Sequence, residues 1–180
     1  FNGSLGMWGA SYDGLVQWAV AGEAPPCLQA MVPVITSSSF SELLYPGGVP
    51  SDFLLLYASV MEMGADPSAT TLSMLRKASL GAMGRTIGPA QDHLPLNEAD
   101  VAATGHAVRY YRDWLAHAPD DAAFWRSVDH RALIARSDAP AHIITGWYDF
   151  CGPGALADYA TLRAAGRSPY LTIGPYQHGP

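Results

Sequence analysis

The chain spells one local pattern twice. Near its start "LGMW", "YDGLVQWAVAG" and "LQAMVPVI" read as strand, helix and strand, and from residue 141 "AHIITG", "PGALADYATLRAAG" and "YLTIG" repeat the order. Parallel strands cannot be joined by a tight hairpin, so each pair needs a crossover helix that packs back on the sheet with a right-handed turn. This alternation predicts an α/β class with a parallel sheet. The first helix is apolar almost all round and should be buried on most sides, with Gly22 as its stop ahead of Pro25 and Pro26. In the second, Pro153 suits the first helical position and Gly166 the stop, while Leu156, Tyr159, Leu162 and Arg163 form a stripe with a polar edge.

The residues between these two parts follow a different rule. Helical patches fall at 52–63, 71–82, 97–116 and 121–128, separated by breaks such as "YPGGVPS", "GRTIGPAQDHLPL" and "HAPDD", and no strand signal of comparable strength occurs. The chain therefore divides into core segments 1–36 and 129–180 and an inserted helical cap, 37–128, placed to cover the carboxyl ends of the strands.

Composition narrows the function classes. Of 180 residues, 49% are hydrophobic and 14% charged, which excludes disorder. A net charge of −6 with only 10 Lys and Arg leaves no basic footprint for nucleic acid. No apolar run approaches the ~20 residues that span a bilayer, and no signal peptide begins the chain, so the expectation is a cytoplasmic protein with no membrane partner. Cys27 and Cys151 read as free thiols. His93, His106, His117, His130 and His142 lack the spacing and carboxylate company of metal ligands, so no metal and no cofactor is expected. His142 reads as a sheet-face residue, and Tyr110, Tyr111, Trp114, Phe124 and Trp125 as lobe core. No residue pattern specifies an oligomeric state.

Chemistry enters at the strand ends. A hydroxyl is a weak nucleophile until a base adjoins it and a third group orients the base. "GASYDG", residues 9–14, has the small-residue shape of a sharp strand-to-helix turn that would lift Ser11 clear of the sheet, although Asp13 stands where a second glycine is usual and Gly14 comes one place later. Asp149 follows the strand "HIITG", and His178 follows "YLTIG". In a parallel sheet all three emerge on one edge, in the order Ser, Asp, His that α/β-hydrolases use.

These motifs resemble the CocE/NonD family, the X-Pro dipeptidyl-peptidase and cocaine-esterase-like serine α/β-hydrolases. The family's G-x-S-Y-x-G turn is matched by Gly9, Ser11, Tyr12 and Gly14, and its G-W-Y-D segment by Gly146, Trp147, Tyr148 and Asp149. Its G-P-W-x-H segment is matched by Gly174, Pro175, Tyr176, Gln177 and His178, with tyrosine for tryptophan; "YPGG" and "YYRDWLAH" are similar too. The resemblance implies a small-molecule ester or amide substrate, Ser11 as acylating nucleophile, His178 as base and Asp149 as its buried partner. It also implies the Tyr12 backbone N–H as one oxyanion donor, and as the other a tyrosine hydroxyl from a loop after an earlier strand, which this chain does not contain. The α-amino-ester-hydrolase branch places carboxylates where this chain has Cys151 and Gly152, which favours an uncharged acyl group unless Asp13 or Glu42 supplies a carboxylate. Phe40, Leu44, Trp147 and Phe150 are the expected apolar wall of the substrate pocket. Cys151 is as well explained by packing as by chemistry.

With ten residues before Ser11, the usual neighbouring strand has no place, "LGMW" is expected as an open apolar edge, and the sequence reads as an internal piece of a longer hydrolase, a partial α/β-hydrolase fold. Two functions stay open: a serine hydrolase, or a catalytically incompetent fragment or pseudo-enzyme that keeps the triad residues as turns.

Overall fold

A computed structural model describes residues 2–65, 70, 85 and 87–179. Among them the strands are β1 (Leu5–Ala10), β2 (Leu28–Val34), β3 (His142–Gly146) and β4 (Tyr170–Gly174). The helices are α1 (Tyr12–Glu23), α2 (Phe40–Leu44), α3 (Phe53–Ala65), α4 (Gly88–Gln91), α5 (Ala99–Thr104), α6 (Arg109–Ala116), α7 (Ala122–Trp125) and α8 (Gly152–Ala164). No helix among the described residues is long and apolar enough to cross a membrane.

The residues form two compact units, 1–43 with 122–180, and 44–121. The first holds one four-stranded sheet in the order β1-β2-β3-β4, every pair parallel. Because both crossovers advance in the same direction across the sheet, the right-handed rule sends α1 and α8 to the same face. There Trp18 and Ala21 of α1 and Ala155 and Leu162 of α8 pack with Leu28, Met31, Ala141 and Ile143 of the sheet and with Ile134. Each large aliphatic side chain so buried contributes about 1.5–3 kcal/mol.

Local details correct the sequence expectations. Gly22 does not end α1: it lies inside the helix, where an added Cβ would come within 3.2 Å of the Leu133 side chain, and Ala24 takes the left-handed cap at φ 47°. The buried face of α8 runs through Ala155, Asp158 and Leu162, with Tyr159 packed against the core as expected but Leu156 exposed, so a carboxylate shares the buried face with the apolar stripe. Pro153 does lie in the helix's first turn.

Two polar residues reinforce the frame. Gln17, fully buried on α1, donates from Nε2 to the Asp13 carbonyl (3.0 Å) and to those of Gly9 and Val32 (both 3.4 Å), and accepts the Val32 N–H at 3.2 Å. It stitches the helix to both neighbouring strands just below Ser11. Asp158 accepts the Ser38 N–H at 2.7 Å, the Ser38 hydroxyl, and Arg131 Nε at 3.0 Å. Arg131 also pairs with Glu42. Asp129 accepts from the Ser41 N–H (2.9 Å) and hydroxyl, and Ser39 forms an antiparallel bridge with Asp129. Residues 37–43 and 122–131 are thereby clasped to each other and to α8, all within the first unit.

In the second unit the predicted patch 52–63 is α3, whereas 97–116 is broken into α5 and α6 by Gly105 at φ 84°. Asp100 closes the break: its carboxylate accepts the N–H groups of Val101 (2.8 Å) and Val108 (2.7 Å) and a two-pronged bond from Arg112. Tyr110 and Trp114 pack ring against ring, and Tyr111 is buried with its hydroxyl on the Leu96 carbonyl. The patch at 71–82 lies outside the described residues, and 121–128 shortens to α7 in the core unit.

Candidate active site

Ser11 sits between β1 and α1 with φ 54° and ψ −119°, a conformation that costs a non-glycine residue about 1–3 kcal/mol. What holds it there is close packing around the turn. Its N–H donates to the Val34 carbonyl at 2.9 Å, and its carbonyl accepts from Gly14 and Leu15. A Cβ on Gly9 would stand 2.5 Å from the Asp13 Cβ, and one on Gly14 2.5 Å from Thr36 Cγ2. Gly9 is needed because the first turn of α1 folds back over the end of β1, and Gly14 because α1 starts against the chain leaving β2. That also explains the position of the second glycine: the close approach to Thr36 falls at residue 14, while Asp13 points outward and is exposed.

The other two strand ends bring their residues to the same place. After β3, Asp149 is held by the Cys151 N–H on Oδ1 (3.2 Å) and the Thr145 hydroxyl on Oδ2 (3.4 Å), and it is buried. After β4, the loop is tied to the acid's loop by Trp147 N–H to the Gly174 carbonyl (3.0 Å) and Tyr148 N–H to the Tyr176 carbonyl (3.1 Å). His178 then lies with Nδ1 2.8 Å from Asp149 Oδ1 and Nε2 2.9 Å from Ser11 Oγ. A carboxylate only accepts, so Nδ1 carries the imidazole proton and Nε2 is left to accept from the Ser11 hydroxyl. Tyr12, first residue of α1, has an N–H that no carbonyl of its own helix can reach, at the positive end of the helix dipole.

The expected pocket wall is only partly assembled. The Phe150 ring lies against the His178 imidazole, centroids 4.2 Å apart, and is half exposed. Trp147 is 70% exposed, while Phe40 and Leu44 are buried, Leu44 completely, and so present no surface to a ligand. Glu42, considered as a substrate carboxylate, is engaged by Arg131. His142 bonds Thr172 across β3 and β4, as a sheet-face residue should.

One neighbour of the site, Gln17, escapes sequence reasoning, and for another, Cys151, the sequence leaves packing and chemistry equally open. Gln17 was hidden because its helix reads as apolar all round, and its lone amide was the available signal. Cys151 is buried with Sγ 3.8 Å from His178 Nδ1. Burial, with Asp149 and Asp158 nearby, pushes its thiol far above the ordinary cysteine range.

Comparison with known proteins places these features in context. The model of the X-Pro dipeptidyl-peptidase (S15 family) matches residues 1–180. Cocaine esterase from Rhodococcus sp. (strain MB1 Bresler) is 28% identical over 189 residues, covering 98% of this chain and 31% of the relative. Among solved structures, an aminopeptidase from a marine sediment archaeon, Thaumarchaeota archaeon, superposes with a TM-score of 0.62 at 20% identity, over 99% of this chain and 29% of that one. An alpha/beta fold family hydrolase from Bacillus anthracis str. Sterne gives a TM-score of 0.51 at 17% identity, over 98% and 60%. The chain thus spans about a third of the length of its curated relative, and its sheet and helices are those of part of an α/β-hydrolase fold.

Proposed function

Since the chain belongs to the X-Pro dipeptidyl-peptidase (S15) family of hydrolases, we propose that it carries the acyl-transfer centre of a serine hydrolase acting on a small-molecule ester or amide. The observation that supports this most is the unbroken relay from Ser11 Oγ through His178 to the buried Asp149, at 2.9 and 2.8 Å.

In this reading Ser11 Oγ attacks the substrate carbonyl carbon as His178 Nε2 takes its proton. Asp149 holds the imidazole in the tautomer that leaves Nε2 free and stabilises the imidazolium that forms. Negative charge gathers on the carbonyl oxygen, toward which the Tyr12 N–H is directed. Collapse expels the alcohol or amine, protonated by Nε2–H, and leaves an acyl group on Ser11. Water, activated by the same nitrogen, then releases the acid. Phe150, packed on the imidazole, restricts its rotation and shields one side of it from water. The residues at the two positions after Phe150, Cys151 and Gly152, carry no charge that would hold a substrate ammonium, which favours an uncharged acyl group.

A fluorophosphonate probe tests the assignment. It is expected to label the full chain on Ser11, and Ser11→Ala is expected to abolish labelling and lower ester turnover by about a millionfold. A chain that folds but takes no label would instead support the incompetent alternative.

A further inference from the structure

Three donor groups of different chemistry converge at the strand ends: one ligand atom from each of Asp149, Cys151 and His178 lies within 4.8 Å of the other two. The relay uses two of them. The thiol has no part in it, yet Sγ lies 3.8 Å from Nδ1, with Nδ1 2.8 Å from Oδ1.

Zinc binds sulfur at about 2.3 Å and nitrogen or oxygen at about 2.0–2.2 Å, so tetrahedral angles place its ligand atoms roughly 3.3–3.6 Å apart. The two separations at Nδ1, 3.8 Å to Sγ and 2.8 Å to Oδ1, fall on either side of that range, so an ion enters by drawing the thiol in and parting the imidazole from the carboxylate. Its outer support is already built, since Thr145 Oγ1 and the Cys151 N–H hold the Asp149 carboxylate. His178 is the exposed member of the set, its side chain 26% accessible, so a hydrated ion approaches from the imidazole side.

We propose that Asp149, Cys151 and His178 form an inhibitory site for a thiophilic divalent cation of the zinc class. On binding, metal–sulfur, metal–nitrogen and metal–oxygen bonds form and the S–H bond breaks, its proton leaving to solvent. The imidazole stays neutral, its single proton moving from Nδ1 to Nε2. Nothing is oxidised or reduced, and the thiolate and carboxylate balance the two charges of the ion. The fourth tetrahedral position is left to water, as in three-ligand sites generally. Inhibition follows from the tautomer: Nε2–H now donates to Ser11 Oγ and cannot accept its proton. That last step rests on the base role proposed for His178, whereas the binding itself does not.

The test uses the full chain with Zn²⁺ and Co²⁺ alone as probes. Cobalt is expected to give a thiolate-to-metal charge-transfer band in the near ultraviolet in the unmodified protein and in Ser11→Ala, and none in Cys151→Ala, which retains Cys27. Loss of even an outer-shell partner costs about 10–100-fold in affinity, so removing a direct ligand should raise the zinc concentration for half-inhibition of ester turnover by about 100-fold or more. Cys151→Ser, closer in volume, serves if the alanine variant does not fold, with the same expectations. Absence of the cobalt band from the unmodified protein, or equal zinc sensitivity without the thiol, overturns the proposal. A cobalt band in a chain that neither turns over ester nor takes fluorophosphonate leaves the metal site standing and removes the hydrolase reading instead.

Discussion

Ser11 occupies a backbone conformation that its neighbours enforce, and the enforcement is steric. Gly14→Ala would drive a methyl group into Thr36, to 2.5 Å from Cγ2 and 2.8 Å from Cβ, where neither the start of α1 nor the end of β2 has room to yield. Overpacking of this kind costs about 1–3 kcal/mol. Urea unfolding should show that loss, and fluorophosphonate labelling of Ser11 should slow as the turn opens; unchanged stability would mean that the turn is looser than its contacts imply. Ser11, Asp149 and His178 were legible in the sequence because each follows an apolar run with glycine close by, a pattern set by local geometry. The contact of the Cys151 thiol with His178 was not, because the 26 residues between them hide a proximity that only the packing of two strand-end loops creates. Phe40 and Leu44 are buried although a pocket wall was expected of them, because hydropathy alone does not distinguish a lining side chain from a packing one.

At the scale of elements, α8 does more than cross between β3 and β4. Its buried Asp158 receives Ser38 and Arg131, and burial pushes that carboxyl above the usual range against the pull of both partners. Asp158→Ala would leave the Arg131 guanidinium without its buried partner and the Ser38 N–H without an acceptor, at a cost of about 3–5 kcal/mol. Thermal unfolding should register it, with Ser38→Ala losing only about 1–2 kcal/mol. The strand-helix order was readable because periodicity reports which face of an element is buried. It failed where one residue overrides the period: Gly105 splits a continuous helical pattern, and Asp158 puts a carboxyl on the buried face of α8 while Leu156, expected there, is exposed.

For the molecule as a whole, the two units answer acid differently. In residues 44–121, burial would raise the Asp100 carboxyl, but Arg112 and the N–H groups of Val108 and Val101 hold it below the ordinary value. Hydrogen bonds from His106 and Tyr110 do the same for Glu62. A lowered folded pKa gives stability that is fully present above the unfolded value, near pH 4, and is lost as pH falls through the folded one. Asp158 in the core unit has the opposite sign: its raised value favours the folded state at low pH and is lost as pH rises through it. Amides of α3, α5 and α6 should therefore lose hydrogen-exchange protection at a higher pH than those of β2 and β3 as the solution is acidified, and simultaneous loss would contradict the assignment. Because Ser39 and Asp129 pin the outgoing chain to the returning one, the spacing of those two ends is set inside the first unit and not by what lies between 44 and 121.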